Sequence, residues 1–320
     1  MKKEMFFGLL LLFSFVVACS LQAKTDCSAG RYEKDVFAWF TKTSVEYGSN
    51  KGWDGEQVSL KMDIYTPNGD SLATRPLVIF AHGGGYVQGS KADMDFSCQQ
   101  FVRKGYVTAT IQYRLIPYKY IYEPKNMMRQ IVKAMSDMKA AIRFFRESVA
   151  KGNPYKIDAD KIFIGGASAG AITALHVGML DENDVLPPDF KKFVETEGGL
   201  EGNTGSAENK KYSSKVKGVI NYSGGLYKED WVDAGDPPFF SYHGIDDDVV
   251  PFEYGIAGKS LPFYGSGSLK KKADEAGVFN LLIKVPKGGH TDIYTNVYFV
   301  SYFNSFHDEM FAKLKTMVCK

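Results

Sequence analysis

The 320-residue chain has few cysteines, few histidines and almost no net charge. Its four cysteines contain no Cys-x-x-Cys pair, which argues against a structural zinc site. With 39 basic and 37 acidic residues the net charge is +2, so the overall balance shows no basic field of the kind that binds nucleic acid. The run Lys270-Lys271-Lys272 reads as a solvated face. The apolar run from Met5 to Val17 is 13 residues long, too short to cross a bilayer as a helix. No internal repeat and no linker divides the chain.

What remains is the composition of an ordinary globular protein, 44% hydrophobic and 24% charged, with ample material for a core. Aromatics reach 14%, which implies thick ring packing in the core or a ring-lined cleft. Residues 1–23 have the layout of an export signal: basic Lys2 and Lys3, the apolar run, then a short exit. Two outcomes stay open. Cleavage after Ala23 releases a periplasmic or secreted protein, whereas Val16-Val17-Ala18-Cys19 is similar to a bacterial lipobox and would tether the chain by a lipid on Cys19. Either way Cys27, Cys98 and Cys319 remain, enough for one disulfide and one thiol whose pairing spacing does not decide.

Residues 24–320 read as a single domain. Gln57 to Thr66 alternates as a half-exposed strand, and Leu77 to Ala81 is a continuous apolar run expected of a strand buried on both faces. Further strands are expected at Val107–Tyr113, Lys161–Gly165, Val216–Tyr222, Phe239–His243 and Leu281–Val285. Helices are expected at Met127–Val149, Ser168–Leu180 and Val297–Met317. Strands alternating with helices imply an α/β fold, a mostly parallel sheet flanked by helices on both faces. Residues 181–215 interrupt that rhythm as a polar insertion with short helices of its own; with residues 251–268 it is expected to frame a pocket.

Gly166-Ala167-Ser168-Ala169-Gly170 lies between the strand Ile162-Phe163-Ile164 and helical sequence. A strand-turn-helix elbow needs small neighbours and lifts its serine to a helix N-terminus, where developing negative charge is favoured. A Gly-rich turn of a nucleotide-binding fold shares the five-residue pattern but not the other parts. An oxyanion needs preorganised donors, which the Ala169 N–H and the Gly84 and Gly85 N–H groups of His82-Gly83-Gly84-Gly85 would supply. His82 is expected to organise that loop, and Tyr86 to wall an acyl pocket or pack beneath it.

Five histidines compete for the role of base. His82 belongs to the oxyanion loop, His176 lies two turns into the helix after Ser168, and His307 sits in the closing helix. Of the remaining pair, His290 follows a strand and Gly288-Gly289 late in the chain, which suits a base on a loop above the sheet. His243 precedes Asp246-Asp247-Asp248. In the pattern His-Gly-x-x-Asp-x-x-Val-Pro the acid is Asp247, with Asp246 and Asp248 as rivals and Asp292 as a turn residue. The order Ser168, Asp247, His290 is that of an α/β-hydrolase triad.

Together with Tyr113-Arg114-Leu115, these segments resemble the α/β-hydrolase superfamily, specifically exported bacterial carboxylesterases related to the hormone-sensitive-lipase group. The resemblance implies hydrolysis of small-molecule or glycan-linked esters through an acyl-enzyme, with no cofactor or metal. Carbohydrate esterase (acetyl or feruloyl) and lipase are the alternatives within enzymes, and an inactive hydrolase-fold binding protein is the alternative outside them. Gly199-Leu200-Glu201-Gly202-Asn203 is similar to a segment of such exported esterases. Two departures stand out: Ala167 replaces the group's acidic residue before the serine, and Ile116-Pro117-Tyr118 follows Leu115 in place of Ala-Pro-Glu.

Overall fold

The computed structural model describes Cys27 and residues 30–257 and 261–319. Eight strands build one sheet: β1 (Phe40–Lys51), β2 (Gln57–Pro67), β3 (Arg75–Ala81), β4 (Val107–Ile111), β5 (Ile157–Ala167), β6 (Gly218–Tyr222), β7 (Phe239–Gly244) and β8 (Asn280–Val285). Their spatial order is β1-β2-β4-β3-β5-β6-β7-β8. Only β2 runs against the others, pairing antiparallel with both β1 and β4. All remaining ladders are parallel.

Alternation along the central strands sends side chains into two cores. Ile79 and Ile164 pack with α2 (Pro124–Ala150), α3 (Ala169–Met179) and α4 (Pro188–Thr196), and α5 (Ser266–Ala276) covers the same face. Phe80 and Phe163 pack with α1 (Asp95–Val102) and α7 (Val300–Val318) on the other face. A one-turn helix, α6 (Asp292–Thr295), precedes α7, and a small antiparallel sheet forms from Gly225–Leu226, Tyr254–Ala257 and Leu261–Gly265. This is the α/β-hydrolase architecture.

The insertion at 181–215 contains α4 and a short 3₁₀ turn, Asn209–Lys211. Its polar side chains serve the core. Thr204 Oγ1 donates to Asp137 Oδ1 (2.8 Å), Glu197 pairs with Lys133 (3.0 Å), and Arg143 Nη1 donates to the Glu201 carbonyl (2.6 Å). The segment that includes Glu201 and Asn203 therefore seals a row of charges on the buried side of α2, and Asn203 also accepts from Asn50 on β1 (2.6 Å).

Cys27 and Cys319 form a disulfide with Cα atoms 6.0 Å apart, closing a loop of nearly the whole domain; Cys98 is the buried free thiol. The pairing corrects one expectation. Cys27, the first cysteine among the described residues, has no thiol left to carry lipid, and Cys19 lies with the whole segment 1–23 outside those residues, so the lipid anchor is withdrawn.

A carboxylate cluster gives the fold a pH signature. Asp236 Oδ2 accepts the Asp233 N–H (3.0 Å) and Asp184 Oδ2 accepts the Asp181 N–H (2.8 Å). Burial, reinforced by the neighbouring carboxylates, pushes Asp236 up to about 7 and Asp184 up to about 6. A raised carboxyl keeps its proton in the folded state, so stability falls as pH rises from the unfolded value near 4 through 7. Asp236→Asn is expected to raise stability at pH 8 by on the order of 1–2 kcal/mol, discounted for solvent screening, and to change little at pH 4. Thermal melts at the two pH values check the sign.

Candidate active site

β5 ends at the elbow, where Ser168 is held at φ +52°. That left-handed geometry costs a non-glycine residue about 1–3 kcal/mol, and the surrounding packing enforces it. The Ser168 N–H donates to the Tyr222 carbonyl (2.8 Å), and its own carbonyl accepts the Ile172 N–H (2.8 Å) that opens α3. A Cβ on Gly170 would sit 2.1 Å from the Ala81 carbonyl oxygen, so only glycine lets α3 start this close to β3.

His290 arrives by a crossing of two loops. Beyond β7, Ile245 N–H donates to the Val285 carbonyl and Asp246 N–H to the Gly288 carbonyl, each at 2.9 Å. The 285–290 loop lies directly over Gly244, where a Cβ would be 2.2 Å from the Gly288 carbonyl oxygen. Asp292 Oδ1 accepts the Gly289 N–H (2.7 Å) and shapes the turn.

The crossing places His290 Nδ1 2.7 Å from Asp247 Oδ2 and His290 Nε2 2.8 Å from Ser168 Oγ. An ionised carboxylate can only accept, so Nδ1 carries the proton and Nε2 is free to accept from the serine hydroxyl. Asp247 is buried, whereas Asp246 and Asp248 are exposed. Burial alone would raise the Asp247 carboxyl. Hydrogen bonds from His243 and His290 overcome it and hold the group well below the usual carboxylate range. Asp247 Oδ1 also accepts the N–H groups of Val249 (2.9 Å) and Val250 (2.8 Å).

His243 is the residue whose part the sequence did not disclose. It is fully buried, with Nε2 3.2 Å from Asp247 Oδ2 and 3.0 Å from the Val250 carbonyl, while Nδ1 lies 2.8 Å from Ser266 Oγ. It therefore contacts the same Asp247 oxygen as His290, from within the core. Its position four residues before Asp247 was the available signal.

The glycine loop lies against the elbow: a Cβ on Gly83 would be 3.4 Å from Ser168 Cβ. Gly84 and Gly85 take φ of +96° and +61°. Ala169 is the first residue of α3, where helix N–H groups have no intrahelical acceptor. His82 Nδ1 donates to the Gly83 carbonyl (2.8 Å), and its ring stacks on Tyr113 at 4.4 Å. Tyr113 Oη donates to the His82 carbonyl (2.8 Å), so Tyr113 and His82 brace the loop from below. Tyr86 is buried beneath it, with Oη 3.0 Å from Thr173 Oγ1.

The other two histidines stand apart. His176 Nδ1 donates to the Ile172 carbonyl (2.7 Å), and burial brings it down to about 4. His307 Nε2 accepts from Tyr222 Oη (2.9 Å). Among the described residues no cluster of His, Cys, Asp and Glu is arranged to hold a metal.

A family model described as BD-FAE matches residues 62–226, just over half of the chain, from within β2 past the elbow and β6 to the end of the short strand Gly225–Leu226. The chain belongs to the BD-FAE family. Among curated proteins it is 27% identical over 179 residues to the probable carboxylesterase 3 of Arabidopsis thaliana, covering 54% of this chain and 53% of that one. It is 33% identical over 111 residues to gut esterase 1 of Caenorhabditis briggsae, covering 32% of this chain and 18% of that one. The chain thus spans about half the length of the first of these relatives and less of the second. Among solved structures, the propionate-bound esterase Est2 of Thermogutta terrifontis superposes with a TM-score of 0.59 at 21% identity, over 85% of this chain and 94% of that one. The form of that esterase phosphorylated by paraoxon gives 0.60 at 22% identity, with the same coverage. At that identity the likeness shows the shared fold. The relatives and solved structures named here are esterases by their own names.

Proposed function

We propose that this BD-FAE protein is a serine carboxylesterase. The observation that carries the reading is the unbroken series Ser168 Oγ, His290 Nε2, His290 Nδ1, Asp247 Oδ2, with links of 2.8 and 2.7 Å. His290 takes the hydroxyl proton as Ser168 attacks the ester carbonyl, and Asp247 stabilises the resulting imidazolium without taking the proton. Charge moves onto the carbonyl oxygen, which the N–H of Ala169 and those of Gly84 and Gly85 receive. His290 then protonates the departing alcohol, and water repeats the sequence on the acyl-enzyme. A second reading, export before action, is supported by the Cys27–Cys319 disulfide, which an oxidising compartment preserves.

An organophosphate tests the reading without assuming a substrate. Paraoxon, which phosphorylates the Thermogutta esterase, should add one diethyl phosphate per chain, located by peptide mass spectrometry on Ser168 and lost in Ser168→Ala. Absence of the adduct, or an adduct at another residue, rejects the assignment.

A further inference from the structure

The candidate acid meets two imidazoles at one oxygen. Asp247 Oδ2, which lies 2.7 Å from His290 Nδ1, is also 3.2 Å from His243 Nε2. His290 keeps 13% of its side chain exposed and reaches Ser168, whereas His243 is fully buried. His243 Nε2 stands 3.0 Å from the Val250 carbonyl as well. An ionised carboxylate and a carbonyl only accept, so Nε2 carries a proton shared between the two oxygens. Nδ1 faces Ser266 Oγ at 2.8 Å. A hydroxyl can give or take, so the charge on the ring depends on where the serine proton goes.

Asn221 on β6 decides that. Its Oδ1 accepts the Gly224 N–H (2.8 Å), which turns its amide nitrogen toward Ser241 Oγ (2.9 Å) and Ser266 Oγ (3.0 Å). Ser266, in the first turn of α5, therefore accepts from Asn221, and His243 Nδ1 is the acceptor for its own proton among the described residues. Donation runs from Asn221 to Ser266 to His243 to Asp247, with His243 neutral and its proton on the nitrogen that faces the acid. Every atom of this buried chain has a partner, which is what makes such a network stiff. Phe252 packs edge-on against the ring at 5.6 Å. Titratable groups nearby are engaged elsewhere: Asp292 with the Gly289 N–H, Tyr294 with Ser223 and Glu253 with Lys271. Asp246 and Asp248 are exposed, so Asp247 is the charge that His243 meets.

Resting on the esterase reading, we propose that His243 is a positioning residue: held by Asn221 and Ser266, it donates to Asp247 Oδ2 and so fixes, and makes less basic, the oxygen that His290 binds. Asp247 Oδ1 is already supplied by the Val249 and Val250 N–H groups, so His243 completes a ring of donors around the carboxylate. A carboxylate stabilised in this way attracts the His290 proton less strongly. The imidazolium that forms during the reaction then remains acidic enough to protonate the departing alcohol. His243 acts through Asp247; its nitrogens meet Asp247, Val250 and Ser266.

His243→Phe keeps a ring in the site but removes the donor, whereas His243→Gln keeps an amide N–H that can reach Oδ2. Without the donor Asp247 becomes more basic and protonated His290 more stable. The acid limb of kcat/KM, where activity disappears as His290 takes up a proton, therefore moves to higher pH. On a nitrophenyl ester, His243→Phe should move that limb up by about 0.5–1 pH unit and lower kcat about 5- to 20-fold, with KM within about twofold of wild type. His243→Gln should return the limb to within about 0.2 unit of wild type. Imidazole ¹⁵N NMR on the full chain tests the wild type directly, and needs neither a variant nor a substrate. At neutral pH His243 should carry its proton on Nε2 and none on Nδ1. A doubly protonated His243, or one protonated on Nδ1 alone, overturns the proposal even where His243→Phe fails to fold. A folded His243→Phe whose limb coincides with wild type while its thermal midpoint falls, the mark of a core residue and nothing more, overturns it equally, as does a His243→Gln that shifts as far as His243→Phe. Those failures leave the esterase reading standing. A wild-type chain without turnover on the nitrophenyl ester removes that reading, and the proposal with it.

Discussion

Ser168→Ala should lower kcat on an activated ester by about 10⁴- to 10⁶-fold while leaving the thermal midpoint within a few degrees of wild type. Alanine keeps the elbow's small volume and its backbone hydrogen bonds to Tyr222 and Ile172, so only the hydroxyl is lost. Asp247→Asn is the more informative partner. Its carbonyl oxygen can still accept the N–H groups of Val249 and Val250, but its amide would face His290 Nδ1 as a donor. The imidazole must then carry its proton on Nε2, where it cannot accept from Ser168. A loss of about 10⁴-fold in kcat is expected with the fold intact. Burst and steady-state kinetics on a nitrophenyl ester measure both variants. Turnover within tenfold of wild type in purified Ser168→Ala would remove the nucleophile assignment.

The parts of this fold that could be read in the sequence are those where both faces of an element are buried. Leu77 to Ala81 and Ile162 to Ile164 are continuous apolar runs because β3 and β5 lie in the middle of the sheet under helices on both sides. β1 gives no strand pattern in the sequence because it is an edge strand with one buried side chain, Tyr47, and its alternation is drowned in polar residues. α1 was missed because eight residues with three buried side chains make too short a pattern. The small sheet needs Gly225–Leu226 to meet Leu261–Gly265, a pairing at long range with no local signal.

At the site, chemistry-bearing residues announced themselves through the small residues around them. Gly170 and Gly244 are there because backbone passes where a side chain would be, and such crossings are what bring Ser168 and His290 together. His243 and Ser266 gave no comparable sign, because their work is done through Asp247 from within the core. The cysteine pairing was beyond reach for another reason: with three candidates, spacing alone does not choose, and the chosen pair is 292 residues apart. The insertion was legible as an excursion but not as a seal. The charges it covers, Lys133, Asp137 and Arg143, lie on the buried side of a helix whose pattern otherwise reads as amphipathic.

That seal carries the largest expected effect on stability. Arg114, directly after the residue that braces the glycine loop, is buried with Nη2 2.8 Å from Asp137 Oδ1, and the Arg114 N–H donates to Asp137 Oδ2 (2.9 Å). Its donors also reach the Lys51 carbonyl (2.9 Å), the Lys133 carbonyl (3.2 Å), Thr204 Oγ1 (3.2 Å) and, at 3.4 Å, Glu197 Oε2. Removing Asp137 leaves the buried guanidinium only the longer pairing with Glu197, itself shared with Lys133, and breaking one partner of such a buried pair costs about 3–5 kcal/mol. Asp137→Ala should therefore lower the thermal midpoint by on the order of 10 °C. The penalty comes from the stranded guanidinium more than from the attraction lost, so the double variant Arg114→Met/Asp137→Leu should recover much of it. Activity adds a second readout. Tyr113 holds the His82 carbonyl, and a loosened Arg114 should disturb that brace. The single variant is expected to lose kcat below its melting range, with KM nearly unchanged, because the proposed oxyanion donors would act on the transition state. A single variant that melts with wild type would mean that the pair contributes nothing net to the fold. Equal losses in the single and double variants would place the cost in packing and not in the unpaired charge.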